Sequence, residues 1–126
     1  MPACGVAMPE TIALRAPLLA LHRALLEHER RVYEKVHGRQ SGADFLQTLI
    51  GDPAFAWLAP LTTLIVRLDE LEDEAPADRE SMAVVAAAKA VLVDDSEFAR
   101  RCTELVQKSP DVAFAYAAAK GALKPQ

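Results

Sequence analysis

DPAFAWLAPLTTLIVRLDELED, residues 52–73, decides the fold class. Asp52 before Pro53 is a helix opening, because the carboxylate accepts from free first-turn amides and a proline at the first helical position forfeits no bond. From there Trp57, Leu58, Leu61, Leu64, Ile65, Leu68 and Leu71 recur at intervals of three and four, the period of one helix face. A half-buried strand would alternate instead, and no period-two stretch occurs in the chain. The reading is therefore one long helix over 53–73, kinked at Pro60, where a proline crowds the preceding turn. Phe55 and Val66 fall opposite the Trp57 stripe. They form a candidate interaction surface, covered either by a neighbouring helix or by a second copy of the chain.

The same punctuation organises the sequence on both sides. Upstream, a helix is expected from Arg15 to His37, with Pro17 in its first turn and Gly38 past its end. Leu14, Leu18, Leu21, Leu25, Val32 and Val36 make its apolar stripe, with Arg23, Glu27, Arg31, Glu34 and Lys35 opposite. A short helix over Asp44–Ile50 follows, capped by Ser41 or Asp44 and ended by Gly51. Downstream, residues 72–78 (EDEAPAD) read as an exposed connection with Asp78 as the next cap. Arg79–Val93 is apolar on nearly every side, which suits a central helix. Asp94, Asp95 and Ser96 offer caps for a helix to Lys108, with Phe98, Cys102, Leu105 and Val106 inward. Ser109-Pro110 opens a last helix, to Ala122. The expected architecture is an all-α bundle of four main helices with one or two short ones. The Leu14–Val36 and Trp57–Leu71 rows should meet in its interior.

Composition narrows the function. The chain has 126 residues, 52% hydrophobic and 25% charged, enough apolar surface for one core and too little length for two. One domain is expected over 10–126, behind a flexible extension at 1–9, since Met8 would serve as a start as well as Met1. A net charge of −4 disfavours nucleic acid, whose binding draws on clustered Lys and Arg. A membrane partner is not expected either: the best apolar run, Ala83 to Val93, falls short of the roughly 18 residues that span a bilayer and carries Lys89. No secretory signal is visible, so the cytoplasm is the expected location. Cys4 and Cys102 share no ligand spacing or disulfide framework and read as free thiols.

DPAFAWLAPLTTLIVRLDEL, with HRALLEHERRVYEKVHG upstream and SPDVAFAYAAAK downstream, resembles small all-helical proteobacterial proteins of unknown function over residues 9–123. The resemblance implies an all-α fold in a cytoplasmic bacterial protein. It brings no catalytic or ligand-binding residues with it.

The residues themselves offer one polar anomaly. At about 100° per residue, His22, Glu29 and Tyr33 lie within about 40° of one another, between the two sides of the apolar arc of the first helix. A buried carboxylate needs a cation, a donor, a metal or a raised pKa. The expected solution is an ion pair from Glu29 to Arg67 or Lys89, helped by the Tyr33 hydroxyl, giving a buried polar cluster of these five residues. One alternative is that Glu29 reaches solvent at the bundle edge; the other is a small-molecule or metal-binding bundle using His22, Glu29 and Tyr33. Di-iron chemistry would need two Glu-x-x-His motifs, whereas the chain has one, Glu34 to His37, and all three histidines share one helix. Neither a metal nor a cofactor is expected. There is no GxSxG, no glycine-rich phosphate loop, and no serine or cysteine with a base at motif spacing.

Charge is uneven, acidic over Arg67–Glu80 and basic along the first helix, so the two regions can attract within the domain or between copies. The function expected from sequence is a non-enzymatic protein-interaction or homo-oligomeric module.

Overall fold

The computed structural model describes residues 9–73 and 78–123, which form six α-helices and one 3-10 turn, with no strand among the described residues. The helices are α1 (Pro9–His37), α2 (Gly42–Gly51), α3 (Ala59–Asp73), α4 (Asp78–Leu92), α5 (Glu97–Val106) and α6 (Pro110–Ala122), with the 3-10 turn Pro53–Leu58 leading into α3. The all-α reading holds, with α1, α3, α4 and α6 the longer members and α2 and α5 the shorter. Residues 1–8 of the expected 1–9 extension and 74–77 of the 72–78 connection lie outside the described residues, while Pro9 belongs to α1.

Capping signals land where the sequence places them. Ser41, Ser96 and Ser109 accept from the amides of Asp44, Ala99 and Val112, three residues on in each case. Asp52 serves two elements: its amide closes α2 on the Thr48 carbonyl oxygen, while its carboxylate accepts from the Ala54 amide and opens the 3-10 turn. α1 ends at Gly38, whose φ of +89° only glycine adopts without strain.

Three expectations about the helices are corrected. α1 begins at Pro9, so Pro17 lies inside the helix and not in its first turn. The 53–73 segment is not one helix kinked at Pro60. Its first six residues are 3-10, and Pro60 is the second residue of α3, where its missing N–H is one the helix start leaves free anyway. α4 touches α3, α1, α5 and α6, but through one face: Ser81, Val84, Ala88 and Leu92 are buried while Met82, Ala83, Ala86 and Ala90 are exposed. An alanine-rich helix is apolar all round without being buried all round, because alanine tolerates either side.

A single core cluster draws on every helix. Leu14, Leu18, Leu21 and Leu25 of α1 are fully buried and join Trp57, Leu58, Leu61, Leu64, Ile65 and Leu68 in one cluster with Leu92, Cys102, Val112 and Tyr116. α1 packs most extensively on α6, then on α3, so its leucine row serves two partners and not α3 alone. The row stops at Leu25. Val32 is 45% and Val36 75% exposed, against the expectation that both belong to the buried stripe. Length explains this: at about 1.5 Å per residue, the 29-residue α1 outruns the 13-residue α6 and the 15-residue α3, and its last turns have less to pack on.

Polar contacts fix the corners. Arg15 of α1 pairs with Asp69 of α3 at 2.7 Å, one realised contact between the basic helix and the acidic region. Arg30 bonds Glu34 and the Gln40 carbonyl oxygen, and Glu34 accepts from the Gln40 amide, tying the α1–α2 loop to α1. Those contacts hold the Glu34 carboxyl below its usual range, the Gln40 amide contributing most.

Candidate functional site

α2 is the element that shapes the surface. Phe45, Leu46, Leu49 and Ile50 spread over about 140° of its circumference, more than one contact can cover at about 100° per residue. Phe45 is buried and meets Phe55 edge-on, with ring centroids 5.8 Å apart, while the Arg30 guanidinium lies 5.2 Å over the Phe45 ring. Leu46 and Ile50 on the outer side stay 54% and 75% exposed.

Between α2 and α1 this leaves an apolar hollow of about 580 Å³, bordered by Leu19, His22, Leu26, Phe45, Leu46 and Leu49. A second hollow of about 340 Å³ shares His22, Leu26 and Leu49 and continues past Ile50 to Leu58 and Thr62 at the start of α3. Together they make a trough along α1, α2 and the α3 entrance. Arg23, Glu27 and Arg30 form its charged rim.

His22 is the one titratable group at the junction of the two hollows. It is half-buried, and burial holds its pKa below the ordinary histidine value, so the ring is neutral at pH 7. Its Nε2 lies 3.5 Å from the Thr62 hydroxyl, which is also 3.3 Å from the Leu58 carbonyl oxygen. With the Thr62 proton donated to that carbonyl, Nε2–H is the donor to Thr62. This leaves His22 without a carboxylate to orient it or a nucleophile to activate, so the arrangement has no general-base geometry.

The five residues expected as a buried polar cluster are not brought together. His22, Glu29 and Tyr33 do share one angular sector of α1. The axial rise of about 1.5 Å per residue separates 22 from 29 by about 10 Å and 22 from 33 by about 16 Å, and each meets a different neighbour. Glu29 is half-buried facing α5: burial raises its pKa, opposed by His28, Arg101 and Lys108. Tyr33 stacks on His37 at 4.2 Å and packs near Phe55. Arg67 borders the α3–α4 cleft with Glu70 and Glu80, and Lys89 is exposed on α4. Neither cation meets Glu29, so the expected ion pair is not formed; the charges near that carboxylate are His28 of α1 itself, then Arg101 of α5 and Lys108 after it.

The expected surface pair also divides. Phe55 is 5% exposed, covered by Phe45 and Tyr33, so the short helix does the covering and Phe55 is core. Val66 remains 50% exposed on α3. Cys102 is fully buried with its thiol pushed up to about 12 by burial, which makes it inert as a nucleophile. Among the described residues no group of three or more His, Cys, Asp or Glu side chains is placed to hold a metal ion.

No single helix among the described residues is long and apolar enough to cross a membrane, and the pair that would suffice by length, 42–51 with 53–71, is bent by 83° at its break. No family model matches the chain, and no curated protein or solved structure shows significant similarity to it.

Proposed function

We propose that this chain is a non-enzymatic, cytoplasmic bacterial protein-interaction module whose working surface is the trough between α1 and α2. The observation that carries the reading is the exposure of Leu46 and Ile50 beside a hollow already lined with leucine. Scattered apolar side chains are ordinary on a surface, but a contiguous apolar concavity with a charged rim is the composition of a protein contact. The side chains bordering the trough supply packing area, and none supplies a nucleophile or a metal site.

A small-molecule site is the second reading, favoured by the volume of the larger hollow, which falls in the range of about 300–1,000 Å³ typical of ligand pockets. Of His22, Glu29 and Tyr33, only His22 borders it. Light scattering and elemental analysis on one sample separate the readings: a mass above the 13.7 kDa monomer without bound metal supports interaction. A monomer carrying stoichiometric metal overturns it.

A further inference from the structure

We propose that a second copy of this chain docks on the face formed by α1, α2 and α6, with the two α1 helices antiparallel about a two-fold axis. The proposal rests on the interaction reading and names its partner. Arg23 and Glu27 stand one turn apart on the exposed side of α1, and both border two hollows at once: the trough against α2, and a hollow of about 360 Å³ against α6 beside Ala20, Ala24 and Phe114, with Asp111 the one charged side chain that α6 adds. They form a charged ridge between two apolar strips. Phe114 on one side is 77% exposed, and Ile50 and Leu46 on the other are 75% and 54% exposed.

Charge complementarity selects the occupant. A two-fold axis crossing α1 near position 25 carries position 23 onto 27, so Arg23 of each copy meets Glu27 of the other, twice in one dimer. A parallel arrangement would set Arg23 against Arg23 and Glu27 against Glu27. The ridge therefore fits itself in one direction only. Both charges are available for the exchange: among the described residues Arg23 makes no ion pair, and Glu27 has only Arg31 at 3.8 Å, with both side chains more than half exposed. Ala16 and Ala20, exposed on the same side of α1, let a second backbone approach. The ridge supplies direction and the flanking strips supply apolar area.

The test is sedimentation velocity on the full chain and on Arg23→Glu, Glu27→Arg and the double exchange, with circular dichroism to check that each stays helical. Expected is a wild-type dimer, a dissociation constant raised at least tenfold by either single reversal, and recovery in the double exchange, which restores both pairs with their signs inverted. A dimer indifferent to the single reversals overturns this face and leaves the interaction reading standing. A wild type that is monomeric at several hundred micromolar overturns both the face and the homo-oligomeric form of that reading. A monomer whose trough instead takes up anilinonaphthalene sulfonate, with Leu46→Arg abolishing the fluorescence, overturns the proposal in favour of a small apolar ligand.

Discussion

The Tyr116 hydroxyl donates to the Leu92 carbonyl oxygen at 2.6 Å, inside the core. Leu92 is the last residue of α4, where carbonyl groups have no partner within the helix, and Tyr116 sits on the buried face of α6. A phenol from one helix thus closes the end of another. Tyr116→Phe keeps the ring and strands the carbonyl oxygen, so a loss of about 1–3 kcal/mol is expected in urea denaturation. A change under about 0.5 kcal/mol would mean that the carbonyl finds another donor.

The leucine row of α1 is expected to divide sharply at Leu25. Leu21→Ala removes a fully buried side chain and should cost about 2–5 kcal/mol. Val32→Ala, at a site 45% exposed, should stay within about 0.5 kcal/mol. Similar losses at both positions would mean that the stripe is buried to the end of the helix.

His22 and Glu29 give opposite pH signatures. Burial lowers the His22 pKa, so its contribution is present above the unfolded value and is lost as pH falls through the folded one. His22→Gln should therefore flatten the stability profile between pH 7 and pH 5. Burial raises the Glu29 pKa, so its contribution is present below the unfolded value and is lost as pH rises through the folded one. Glu29→Gln should be tolerated at pH 7 and should gain on the wild type there relative to pH 4. Strong destabilisation by Glu29→Gln at pH 7 would instead indicate a buried ion pair.

Cys102 should resist alkylation in the folded protein. It is fully buried and its thiol is pushed up to about 12, so thiolate is scarce and access is blocked. Site-resolved mass spectrometry after iodoacetamide treatment should find residue 102 modified only in denaturant. Labelling under native conditions at the rate of a free peptide thiol would place Cys102 at a surface.

Local signals in this sequence were legible because they are short-range. Asp52-Pro53 and Ser109-Pro110 marked helix starts to the residue, and Ser41 and Ser96 capped as their chemistry requires. What escaped depends on distance and on neighbours. A helical wheel records angle and discards rise, so His22, Glu29 and Tyr33 looked clustered while standing turns apart on α1. Phe55 is covered by the short helix through Phe45, one of the two coverings the sequence left open; its spacing alone did not say which. Beyond the adjacent His28, Glu29 drew its charged neighbours from Arg101 and Lys108, a tertiary choice that no spacing in the sequence encodes. The trough did leave a trace: the arc from Phe45 to Ile50 is too wide for one helix contact. Only the packed structure assigns its inner half to Phe55 and its outer half to the surface.

The thermal unfolding midpoint measured over a hundredfold range of protein concentration tests the self-docking face most directly. A midpoint that climbs with concentration in the wild type, and lies lower at each concentration in Arg23→Glu, is expected of copies held together through the α1 ridge. A wild-type midpoint independent of concentration would contradict it.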